Sequence, residues 1–101
     1  MIIVSGTAKT KPGTITKLRA VMETTIRETR KEEGCILYTY GIDVLDPDTI
    51  VVVEHWESWA ALEKHFTTPH IAAWMTALSQ EKAVVSKVKF MEAGEERNPL
   101  G

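Results

Sequence analysis

Histidine is the only side chain whose ordinary pKa lies near neutrality, and His65 and His70 flank a break between two short predicted helices. The stretch around them, Glu54 to Trp74, also holds all three tryptophans of the chain. Such a set suits removal of a proton from an aromatic hydroxyl inside an apolar, ring-sized cavity. His65 and His70 are the candidate bases. Glu54 is a third candidate, because it follows Val52 and precedes Trp56 on one face of an apolar strand. An unpaired charge there is expensive, so Glu54 requires either a cationic partner or a raised pKa. Trp56, Trp59, Phe66 and Trp74 are candidate cavity walls, and Tyr38 and Tyr40 on the neighbouring strand offer hydroxyl donors.

Each residue also has an ordinary structural role open to it. His65 suits a half-buried ring bonded to a carbonyl, and His70 suits the solvated start of a helix. Trp56 and Trp74 suit the core. The two histidines are five apart across Pro69, there is no HExxH pattern and no Cys/His cluster, so no metal site is expected. No glycine-rich phosphate loop follows a strand. Cys35 is the lone cysteine, which excludes an intramolecular disulfide and fits a reducing compartment.

Alternation and helical spacing define the elements that must position these groups. Ile2 to Lys9 reads as a strand, ended by Lys11-Pro12-Gly13. Ile15, Leu18, Met22, Ile26 and Thr29 form one stripe of an amphipathic helix stopped at Gly34. Ile36 to Val44 and Ile50 to Glu57 read as a hairpin turning at Asp46-Pro47-Asp48. Ser58 is placed to cap one short helix, and Thr68, with Pro69 at the first helical position, to cap the next. Ala83 to Glu92 supplies the last strand, and residues 93–101 form a polar tail.

The order predicts an α+β, ferredoxin-like split βαβ domain spanning residues 1–101, with helices on one face of an antiparallel sheet. Both alternating residue sets along the strands carry apolar residues: Val51 and Val53 oppose Val52 and Trp56, and Val84, Val88 and Phe90 oppose Val85 and Met91. A bare face of that kind exceeds what soluble monomers normally expose, so pairing with a second copy is expected. Hydrophobic residues make up 44% and charged residues 26%, and the net charge is -2, values of an ordinary globular protein without a basic footprint for nucleic acid. No run reaches the length of a membrane span and no signal peptide is apparent, so the expected location is cytoplasmic, with neither nucleic acid nor membrane as partner.

The chain resembles the antibiotic biosynthesis monooxygenase family, and within it the bacterial quinol monooxygenases. Lys11-Pro12-Gly13, Lys31-Glu32-Glu33-Gly34-Cys35, Tyr38, Glu54-x-Trp56-Glu57-Ser58, Leu62-Glu63-x-His65 and Thr68-Pro69-His70 fall in that family's order and spacing. The resemblance implies a homodimeric α+β barrel and oxygenation of a small quinol-like or polyphenolic substrate by O2 without metal, haem or flavin. Haem-degrading proteins on the same scaffold carry an asparagine on the first strand and a histidine on the later helix, where this chain has Ser5-Gly6 and Met75. Two other functions use the same cavity: isomerisation or degradation of a small oxygenated metabolite, and non-catalytic small-molecule binding in a stress response.

Overall fold

The computed structural model describes residues 1–81 and 84–101. The elements run β1 (Ile2–Lys9), α1 (Thr14–Thr29), β2 (Cys35–Asp43), β3 (Asp46–Trp56), α2 (Trp59–His65), α3 (Pro69–Ser79) and β4 (Val85–Glu92). They form one antiparallel sheet in the order β2-β3-β1-β4, the ferredoxin-like arrangement, with three helices on one face.

Period-two alternation fixes which residues meet the helices. On β1, Ile2, Val4 and Ala8 are buried, and on β3, Ile50, Val52, Glu54 and Trp56 are buried. The register aligns them in rows across the sheet. Tyr38 pairs with Glu54, Glu54 with Val4, and Val4 with Phe90. The adjacent row runs Tyr40, Val52, Gly6 and Val88. Gly6 contributes no side chain and Ala8 only a methyl, so the central strand leaves the sheet floor shallow under α3. A Cβ on Gly6 would stand 2.1 Å from the Lys87 carbonyl oxygen, so the hollow cannot be filled from that position.

Helix α1 buries Leu18 and Met22, along with Thr14, Thr25 and Thr29, and packs mainly against α3. The Thr25 hydroxyl donates to the Val21 carbonyl, which satisfies it inside the helix. The apolar side chains separate into two clusters. One joins Leu18, Met22, Ile50, Val52, Ile71 and Trp74, and the other joins Ile2, Val4, Tyr38, Trp56 and Leu62.

Several local expectations are corrected. Helix α1 ends at Thr29, and Gly34 acts beyond it, turning the chain into β2 with φ +85°. A Cβ there would lie 2.6 Å from that of Ala61, so Gly34 also permits α2 to approach. The hairpin turns at Val44-Leu45, where the Asp43 carboxylate accepts the Leu45 N–H at 2.9 Å. Asp46 and Asp48 belong instead to β3. The Asp46 carboxylate accepts the Asp48 N–H, the Thr49 hydroxyl and the Lys9 ammonium. Pro47 is tolerated because residues 47–49 fall between the last two paired positions of β2. Ser58 caps α2 as expected, accepting the Ala61 N–H at 3.1 Å. Thr68 does not cap α3 through its side chain; its hydroxyl donates to the His65 carbonyl at 2.7 Å and closes α2. The expected start of β4 at Ala83 lies outside the described residues.

Among the described residues no helix covers the second sheet face, where Ile3, Leu37, Val51, Val53 and Met91 stand beside Ser5, Thr7, Thr39, His55, Lys87 and Lys89, with Leu37 and Met91 exposed. Among the described residues, no helix is long and apolar enough to cross a membrane.

Candidate active site

A cavity of about 160 Å³ lies between the sheet and helices α2 and α3, and its lining draws on both core clusters. Its floor includes Val4, Ala8 and Val52, and α3 closes it with Ile71, Trp74 and Leu78. Polar groups are few. Tyr38, Tyr40, Glu54, His65 and Ser86 supply them within a surface that is otherwise apolar. Small, mostly apolar hollows with a few convergent polar groups are how proteins orient small molecules.

His65 ends α2, and its side chain is 1% exposed. Its Nδ1 lies 2.8 Å from the Glu32 carboxylate oxygen Oε2, and His70 Nε2 lies 2.7 Å from the same oxygen. The short turn after α1 holds Glu32, whose backbone N–H donates to Thr29 and whose carbonyl accepts from Cys35. When the Glu32 oxygen accepts from both rings, the donors are His65 Nδ1 and His70 Nε2. In that arrangement His65 carries its proton on Nδ1. Its Nε2 has no protein hydrogen-bond partner among the described residues, and the ring lines the cavity. Burial pushes the His65 pKa below the usual histidine value, against the raising effect of the Glu32 bond and charge.

The Glu32, His65 and His70 donor atoms lie within 4.8 Å of one another. The cluster arises from tertiary contact, since α1, α2 and α3 converge there, and it needs no helical spacing between the histidines. Separations of 2.7 and 2.8 Å are those of hydrogen bonds, with one Glu32 oxygen shared by the two rings.

Glu54 faces the same cavity from β3. Among the described residues no cation pairs with it; the indole N–H of Trp56 donates to its Oε1 at 2.9 Å. Burial raises its pKa to about 7, opposed by the Trp56 bond and helped by the Glu32 charge. Of the two resolutions open to a buried carboxylate, the fold supplies the raised pKa. The Tyr38 and Tyr40 hydroxyls are 2.7 Å apart and bonded to each other. Burial pushes both phenols up, Tyr40 to about 12 and Tyr38 further, so both are protonated donors at neutral pH.

The expected wall residues divide. Phe66 and Trp74 line the cavity, with the Trp74 ring centroid 6.0 Å from that of Tyr40. Trp56 does not; it is fully buried in the second core cluster, its ring 4.8 Å from His65, and it reaches the site through Glu54. Trp59 is corrected as a wall: it opens α2, stands half exposed and lies outside the lining. Trp59 and Phe66 stand at opposite ends of α2, and of the two Phe66, beside His65, reaches the lining. His70 also lies outside the lining and joins the site through Glu32. Glu32 and Ser86 are new members. Nothing local marks Glu32, which is separated from His65 by 33 positions.

The antibiotic biosynthesis monooxygenase family model matches residues 1–77. A Synechocystis protein without an assigned activity is 30% identical over 94 residues, covering 93% of this chain and 64% of that protein, so the chain spans less than two thirds of that relative. The Escherichia coli protein named probable quinol monooxygenase YgiN is 35% identical over 72 residues, covering 63% of this chain and 68% of that protein. A Deinococcus radiodurans crystal structure, solved as a candidate antibiotic biosynthesis monooxygenase, superposes with a TM-score of 0.87 at 30% identity and full coverage of both chains.

Proposed function

From the premise that this chain belongs to the antibiotic biosynthesis monooxygenase family, we propose that it oxygenates a small quinol with O2, with His65 as the base. The observation that carries the reading is a single imidazole: His65 lines an apolar cavity while its Nδ1 is tied to Glu32. A quinol and O2 give a hydroxyquinone and water, so the substrate supplies all four electrons. Removing a phenolic proton makes the ring a stronger reductant toward O2, and that step falls to His65 Nε2. Glu32 then faces the imidazolium across the Nδ1–H bond and stabilises it, as a carboxylate behind a catalytic imidazole does. One hydroxyl of the Tyr38–Tyr40 pair donates to the oxygen left negative while the other donates to its neighbour, and Trp74 and Phe66 bound the ring. Glu54, titrating near neutrality, is the second group able to exchange a proton with substrate or reduced oxygen.

Oxygen uptake on a panel of hydroquinones, before and after chelator treatment, tests this reading. Uptake matched to product and unaffected by chelation supports it. Substrate turnover without oxygen uptake would move the same cavity to isomerisation, and uptake restored only by added metal would assign the Glu32, His65 and His70 cluster to a cation.

Glu32 also sets a sign. Its bond and charge hold the His65 pKa up, so Glu32→Gln should shift the rising limb of kcat/KM against pH toward lower pH and reduce the plateau. A limb that stays in place would remove Glu32 from the proposed mechanism.

The reading includes a homodimer. Among the described residues no helix covers the face bearing Ile3, Leu37, Val51, Val53 and Met91, and a second copy is the simplest cover for these apolar side chains, which share the face with Ser5, Thr7, Thr39, His55, Lys87 and Lys89. Light scattering at micromolar concentration is expected to give twice 11.3 kDa. A monomer at that concentration would leave this face without its proposed partner.

A further inference from the structure

We infer that the preferred substrate is a quinol carrying an apolar side chain, and that the chain leaves the cavity across a lip formed by Phe66, Met75 and Phe90. This rests on the quinol reading above and adds the substrate's second half. All three residues line the cavity, yet they are 44%, 53% and 48% exposed. They come from three elements: Phe66 follows α2, Met75 is on the outer side of α3, and Phe90 is on the edge strand β4. The Phe66 and Phe90 rings meet edge to face with centroids 6.2 Å apart, which bridges the helix layer and the sheet edge.

Two features point to a tailed ligand. The cavity, at about 160 Å³, is smaller than typical ligand sites of roughly 300–1,000 Å³, so it takes a ring system and little more. Apart from Ser86, the exposed part of its lining is aromatic and thioether surface, from Phe66, Met75 and Phe90. A bare hydroquinone with its oxygens near His65 and the tyrosines gains nothing from that surface, whereas an alkyl or prenyl substituent removes it from water. Methionine adapts readily to a flexible chain. Ser86 is the polar member of the β4 wall, four residues from Phe90 along the strand.

The test uses hydroquinones with one ring and straight alkyl substituents from methyl to hexyl. Steady-state KM is measured by oxygen uptake, and Kd of the corresponding dimethyl ethers, which cannot turn over, by quenching of tryptophan fluorescence. A fully buried methylene is worth about fourfold and a half-exposed one about twofold, so KM and Kd are expected to fall about tenfold or more from methyl to hexyl. In the Met75→Gln/Phe90→Thr variant this dependence on chain length should flatten, whatever the change does to the methyl compound. A KM and Kd independent of chain length in the unaltered protein overturns the inference, as does a slope that survives in the variant. If the lip instead covers a second copy, the variant changes oligomeric state and leaves the slope intact, which also overturns it. Chain-dependent Kd without oxygen uptake supports the lip and counts against the quinol reading alone.

Discussion

Replacing His65 with asparagine is expected to lower kcat/KM on an oxygenated quinol by roughly 10²- to 10⁴-fold while the protein stays folded. Asparagine keeps a polar side chain that can reach toward Glu32, but it takes up no proton at neutral pH. A loss not matched by a fall in melting temperature therefore reports proton transfer. The structure separates this variant from His70→Asn. His70 holds Glu32 from the far side and does not line the cavity, so its loss should cost much less and act mainly through the pH profile. In the unaltered protein kcat/KM should rise with pH through an apparent pKa below the usual histidine value, because burial disfavours the imidazolium. Near wild-type turnover in His65→Asn would reassign the base to Glu54 or solvent. Equal losses at both histidines would point to the integrity of the cluster rather than to one nitrogen.

What could be read from the chain divides along a physical line between local and distant causes. Strand alternation put Val52, Glu54 and Trp56 on one face because the period of two is a property of the backbone itself, and that placed Glu54 among apolar side chains. On α3, Ile71 and Trp74 stand three positions apart and both turn inward, a consequence of the helical period. The partner of Glu54 was legible only as a choice, ion pair or raised pKa, since no local rule excludes a distant cation. Glu32 was illegible as a site residue: in sequence it is one more charge in Lys31-Glu32-Glu33, and only the packing of three helices brings it onto His65 and His70. Trp59 opens α2, at the end of the helix away from His65, and its residue type alone does not distinguish a cavity wall from a surface aromatic. The hairpin turns at Val44-Leu45 because the Asp43 side chain closes it there, and the two aspartates of Asp46-Pro47-Asp48 are engaged instead by Lys9 and Thr49, at Asp46, and by Thr10, at Asp48.

Glu54→Gln is expected to stabilise the protein increasingly as pH rises. In the unfolded chain the carboxyl titrates near 4.5, and in the folded protein near 7, because burial penalises the carboxylate. The folded state therefore holds this proton more tightly. The stability it contributes is full below pH 4.5 and is lost as pH rises to about 7, a span worth roughly 3 kcal/mol. Glutamine stays neutral throughout and can still accept the Trp56 indole N–H through its amide oxygen. The melting temperatures of the two proteins should nearly coincide near pH 4.5 and separate above it, the variant lying on the order of 10 °C higher at pH 8 for a domain of this size. His65 works in the opposite direction. Its folded pKa is lowered, so its buried neutral ring takes stability away as pH falls below 6.5. That contribution is present in both proteins and largely cancels in their difference, apart from the small change in field when Glu54 loses its charge. Parallel melting profiles across this range would mean that Glu54 ionises in the folded protein as it does in water. The same substitution removes the second group able to exchange protons in the cavity, so a variant that is more stable at pH 8 yet slower on quinol would locate the cost of burying Glu54 in catalysis rather than in the fold.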